Sequence, residues 1–97
     1  MENLTPKERN RLWDRKIRPM LKKRFEGLGV TRCEVCNAEF PLGFAHRYKR
    51  RFITSVTELE LCALLCNPCH ERIEFGGNMF AEIHAIICKR EVMECTF

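Results

Sequence analysis

Two Cys-x-x-Cys pairs, Cys33-Glu-Val-Cys36 and Cys66-Asn-Pro-Cys69, stand 29 residues apart in a chain of 97. Each pair offers two thiolates from one tight turn, and two such pairs close a tetrahedron. The spacing therefore predicts a structural zinc on Cys33, Cys36, Cys66 and Cys69. A chain of this length buries only about two thirds of its unfolded surface, so a staple beyond its apolar core is expected. The seven cysteines raise a disulfide framework as the rival reading. Their odd number, the paired spacing and the lack of a signal-like leader favour metal, and with it an intracellular, cytoplasmic protein. Cys62, Cys88 and Cys95 read as buried or free thiols, Cys62 being a substitute ligand only if its segment is helical. No apolar run reaches the roughly 18 to 20 residues that cross a bilayer, so no membrane association is expected.

The net charge of +4 is unevenly spread. Of the 17 Lys and Arg residues, 14 fall within residues 1–52 against 6 acidic ones, and the remainder of the chain is net acidic. A basic half of this kind is the footprint of a phosphate-backbone binder, although charge runs also serve simply as solvated faces. Nucleic acid is the expected partner, with a protein partner as the alternative.

The local signals predict one α+β domain spanning 1–97: a basic helical arm over 1–29, a zinc-knuckled core over 30–77, and a C-terminal helix and tail over 78–97. Met1 to Leu4 read as a frayed end. Thr5-Pro6-Lys7-Glu8 carries the signature of a capping box with proline in the first turn. The helix should run towards Ile17, and Pro19 should break it and start a second one ending at Phe25. Trp13, Ile17, Met20, Leu21 and Leu28 gather on one side, while Lys7, Arg11, Arg15, Arg18 and Lys22 recur as a cationic stripe. Val30 to Cys36 is expected to be a strand, and Phe44-Ala45-His46 to begin another. Residues 58–65 read as a helical turn passing into a strand, and Asn67-Pro68 as the cap and first residue of a helix carrying Cys69, His70 and Glu74. Asn78 should cap the last helix, with Phe80, Ile83 and Ile87 packing inward and His84 structural.

The order Cys-x-x-Cys, a strand ending in Ala45-His46, a basic loop Arg47-Tyr-Lys49-Arg50-Arg51, then Leu-Leu-Cys66-x-x-Cys69-His70-x-x-Ile-Glu74 resembles the HNH endonucleases. The likeness covers Cys33 to Glu74, about two fifths of the chain, and implies a treble-clef-like ββα-metal core. It implies that His46 is the general base in hydrolysis of a DNA phosphodiester, and that His70 and Glu74 hold a catalytic Mg²⁺ or Mn²⁺. It further implies that Arg47, Lys49, Arg50 and Arg51 hold flanking phosphates, joined by Arg11, Arg15, Arg18 and Lys22 of the arm. The family often has a metal-binding residue where Ala45 stands, and its middle Asn has no match. Glu60 or Glu58 is the expected substitute, accepting from the His46 ring N–H. Without the resemblance, His46 reads as a satisfied core histidine, His70 as an alternative zinc ligand and Glu74 as a helix-face ion pair. The corresponding alternative function is a zinc module that binds nucleic acid or protein without cleavage.

Overall fold

Thr5 opens the first helix with a reciprocal capping box: its hydroxyl accepts from the Glu8 N–H at 3.2 Å, and the Glu8 carboxylate accepts from the Thr5 N–H at 3.0 Å. The computed structural model describes residues 3–91. It shows α1 (Pro6–Leu12), a π-helical segment (Trp13–Ile17), α2 (Arg18–Gly27), β1 (Leu42–His46), a 3-10 turn (Arg50–Phe52), α3 (Val56–Glu60), β2 (Cys62–Cys66), α4 (Asn67–Glu74) and α5 (Met79–Glu91). Residues 92–97, with Cys95 and the expected tail, lie outside the described residues, as do Met1 and Glu2. Leu4 is not frayed, since its N–H donates to the Thr54 carbonyl at 2.8 Å.

Pro19 does not break the helix. The preceding turn widens instead, the Arg18 N–H bonding to the Trp13 carbonyl, and a π turn of this kind absorbs the hydrogen bond that proline cannot make. The wider turn also resets the helix face. In a regular α-helix a residue four places on overshoots by about 40°, and the π segment takes that drift back. Trp13, Ile17, Leu21 and Phe25 accordingly form one buried row. Met20, expected inside, is turned out by the same adjustment, and Leu28, also expected inside, is exposed as the C-cap residue at the end of α2.

β1 and β2 form an antiparallel pair in the register Leu42↔Cys66, Phe44↔Leu64, Ala45↔Ala63 and His46↔Cys62. A lone hairpin is marginal in water, and here both faces are covered. Phe44, Cys62 and Leu64 pack with Trp13, Ile17, Leu21 and Phe25 on one side. Ala45, Ala63 and Leu65 pack with Ile73, Ile83 and Ile87 on the other. The period-2 alternation of strand side chains thus divides two apolar clusters across a two-stranded sheet, and the small Ala45–Ala63 pair lets α4 and α5 approach closely.

Val30 to Cys36 is a loop and turn, not a strand. Its one ladder-like contact with the sheet is at Glu34, whose N–H donates to the Leu64 carbonyl at 2.8 Å. The Glu34 carboxylate accepts from the Leu64 N–H at 2.8 Å and from Arg90 Nη1 at 2.6 Å, and Arg90 Nη2 donates to the Cys62 carbonyl at 2.9 Å. Two side chains thereby satisfy the outer edge of β2, where a third strand would otherwise be needed. The residue 58–65 segment behaves as expected, α3 passing into β2. α4 is capped by Cys66, not Asn67, which becomes the first helical residue, with its N–H bonded to the Pro41 carbonyl.

Candidate functional site

The two cysteine turns meet. Cys33, Cys36, Cys66 and Cys69 bring their sulfurs within 4.8 Å of one another, a donor set that could hold a metal ion such as zinc. Loop geometry delivers the first pair: the Asn37 N–H bonds to the Cys33 carbonyl, the Cys33 N–H bonds to the Ala38 carbonyl, and Asn37 adopts φ 68° to turn the chain back. The second pair spans the junction of β2 and α4. Burial works against ionising Cys33, yet the backbone N–H groups of Cys36, Cys66 and Val35 at its sulfur outweigh this and bring it down to about 6. Cys69 is pushed up to about 12, by burial and by the crowd of neighbouring sulfurs. One thiolate is ready and its neighbour resists ionising, an opposition that a divalent cation at the centre relieves. Cys62 takes no part: it lies on the strand, buried, with its thiol donating to the Leu59 carbonyl at 3.2 Å and held well above the ordinary thiol range by burial. Cys88 is not a free thiol but is disulfide-bonded.

His46 ends β1 on the face turned to the N-terminal helices, 5 % exposed, with the Trp13 ring at 4.7 Å from its own. The Nε2–H donates to the Leu59 carbonyl at 3.1 Å. The acceptor expected from Glu60 or Glu58 is therefore a backbone oxygen between them. Glu60 stands half-buried, and Glu58 is engaged by Arg47. Burial lowers His46 to about 4, the Leu59 bond opposing and Arg50 and His70 adding to the drop. The ring is neutral at physiological pH, with Nε2 carrying the proton and Nδ1 the free lone pair.

Ala45, one residue earlier, faces α4 and is fully buried in the cluster with Ile73. His70 and Glu74 leave α4 one turn apart, both about a third exposed, with Nε2 to Oε2 at 3.7 Å. That spacing follows from the i,i+4 geometry of a helix. Among the described residues, the four cysteines are the one cluster of three or more metal-ligand side chains.

The cations divide. Arg47 is taken up within the fold: it donates to both Glu58 carboxylate oxygens at 2.8 and 2.6 Å and to His84 Nδ1 at 2.9 Å, and lies over the Phe80 ring. His84, stacked on Phe80, then directs Nε2–H at the Cys88 sulfur, 3.4 Å away. Lys49 lies over Phe75, Arg50 over Trp13 and Arg51 over Phe52, the last two arginines exposed. Arg11, Arg15, Arg18 and Lys22 are all exposed along the N-terminal helix. Arg9, which no periodicity singled out, is buried and donates to the Arg51 carbonyl at 3.0 Å, tying that helix to the basic loop. The Glu34–Arg90 pair was equally invisible in the sequence, its partners lying 56 residues apart. No helix among the described residues is long and apolar enough to cross a membrane. The chain matches no family model, no curated protein and no solved structure.

Proposed function

We propose that this protein is an HNH-like, metal-dependent DNA endonuclease. The observation that carries the reading is the β1–β2–α4 unit, in which His46 ends one strand, the zinc-type cysteines join strand to helix, and His70 and Glu74 project from that helix one turn apart. Cys33, Cys36, Cys66 and Cys69 would hold zinc and set the strand-to-helix angle, with no part in the reaction. His70 and Glu74 would hold Mg²⁺ or Mn²⁺. Such an ion, when bound, neutralises charge on the scissile phosphate, and with one imidazole and one carboxylate as donors it keeps several waters. His46 Nδ1 would take the proton of the attacking water, the Leu59 carbonyl holding the tautomer that leaves this lone pair free. Lys49, Arg50 and Arg51 would hold flanking phosphates, and Arg47, through Glu58, would brace the loop that carries them.

A second reading, nucleic-acid or protein binding without cleavage, is favoured by one arrangement: the strand position beside His46 is an alanine packed against Ile73, and Trp13 covers the His46 ring. A plasmid-nicking assay on zinc-loaded protein separates the two. Cleavage is expected with Mg²⁺ or Mn²⁺, falling by about 10²- to 10⁴-fold in His46→Ala, the contribution of a positioned general base. DNA left intact with every divalent ion tried would leave the binding module as the function. Undiminished cleavage in His46→Ala would remove the base assignment.

A further inference from the structure

Between α2 and the sheet face lies a groove of about 750 Å³. Its apolar floor is the exposed part of the Phe44 ring, which is set between Trp13 and Phe25, both almost wholly buried. The half-buried Phe44 ring meets Trp13 at 6.0 Å and 89°, and Phe25 at 5.3 Å and 88°. Arg18, Lys22 and Arg50 stand on its rim, all three exposed, with Glu26 the only acidic residue lining it. Arg18 and Lys22 are four apart and share a helix face, and the Arg50 guanidinium lies over the Trp13 ring, 5.7 Å from its centroid.

We propose that this groove is a slot for an unpaired base of single-stranded DNA, its flanking phosphates held by Arg18, Lys22 and Arg50. The proposal rests on the nucleic-acid reading above and deepens it by naming the state of the strand. The argument is one of complementarity. A base is a flat apolar body between two anions, and the groove offers the Phe44 ring between cations. A paired base has no such face to offer, because its faces are stacked and its edges paired. Base-to-aromatic contact together with a cationic border is the general chemistry by which single strands are gripped without regard to sequence. An acidic peptide would satisfy the rim and leave the floor unfilled.

Trp13 is the single tryptophan in the chain and touches the Phe44 ring, so its fluorescence reports on the groove through that contact. Zinc-loaded protein without added divalent cation would be titrated with a 15-nucleotide oligo(dT), the same oligonucleotide with its central bases removed as abasic sites, a 15-bp duplex, and poly-glutamate. Oligo(dT) is expected to quench Trp13 and to bind more tightly than the duplex. Abasic sites should weaken binding about fivefold or more, the loss of one aromatic-stacked base. The Arg18→Glu/Lys22→Glu double variant changes exposed side chains only. It should keep its circular dichroism spectrum and zinc content while losing about tenfold or more in affinity, with a shallower salt dependence. Equal binding of the abasic strand, preference for the duplex, equal quenching by poly-glutamate, or unchanged affinity in the double variant would each overturn the slot. Because no cleavage is measured, these outcomes are independent of whether His46 proves to be a base.

Discussion

His46 shows how a side chain that looks reactive in sequence is given its properties by what surrounds it. Trp13 and the sheet exclude water, which lowers the imidazole from 6.5 to about 4 against the opposing pull of the Leu59 carbonyl, and that carbonyl fixes the tautomer. The unfolded chain therefore takes up this proton first as pH falls. The associated stability is intact above pH 6.5 and is lost progressively towards pH 4, by about 3 kcal/mol in all. Urea unfolding of zinc-loaded protein across this range should show a smaller pH slope in His46→Asn than in wild type. Parallel slopes would mean that the ring is not buried neutral. Glu34 makes the second case at this scale. Its carboxylate holds the Leu64 N–H and the guanidinium of Arg90, both partners being nearly inaccessible. Glu34→Ala leaves that arginine with Glu91 as its remaining carboxylate and strips the Leu64 N–H of its acceptor, so a loss of about 1–3 kcal/mol is expected by denaturant titration. A loss below about 1 kcal/mol, the range of an exposed ion pair, would show the pair to be solvated.

At the level of elements, the cysteine cluster joins pieces that have little else to hold them. The Cys33–Cys36 turn has no strand to anchor it, and its attachment to β2 runs through Glu34 and the shared sulfurs. α4 is eight residues long, too short to persist alone in water. Removing metal with a chelator should therefore cost helical circular dichroism and cooperative unfolding, both restored by adding Zn²⁺. A chelated protein with an unchanged thermal transition would show that the cysteines pack without metal. The N-terminal helix behaves differently. Its continuity through Pro19 depends on the π segment, and its apolar row is sealed against the sheet without help from the cluster.

For the whole molecule, the two apolar clusters lie on opposite faces of one hairpin, and Leu42 packs against both. Neither half can hold the sheet alone, so the domain should unfold as one unit. Leu21→Ala on one face and Ile83→Ala on the other should each lower stability by about 2–5 kcal/mol and shift the same single transition; two separable transitions would contradict this. The cysteine pairs and the capping box at Thr5 were legible in the sequence because each is decided within a few residues, by ligand spacing or hydrogen-bond reach; the passage from α3 into β2 was expected, but periodicity did not decide it, since every residue of β2 is buried. The helix face at Met20 was not legible because a π turn is a response to packing and proline together, and no residue pattern announces it; Leu28 is exposed because the helix ends there. The strand expected over Val30 to Cys36 is absent because that segment turns at its cysteines and meets β2 at Glu34, whose carboxylate joins Arg90, 56 residues away, on the outer edge of the strand. Arg47 looked like a free phosphate contact until Glu58 and His84 were seen to hold it. By itself, then, the sequence determined which four sulfurs could gather and which helix would carry His70 and Glu74, since both depend on short spacings. Only the tertiary structure decided which cations face solvent, that His46 sits beneath Trp13, and that Ala45 fills the place beside it, because burial and long-range hydrogen bonds belong to the packed chain.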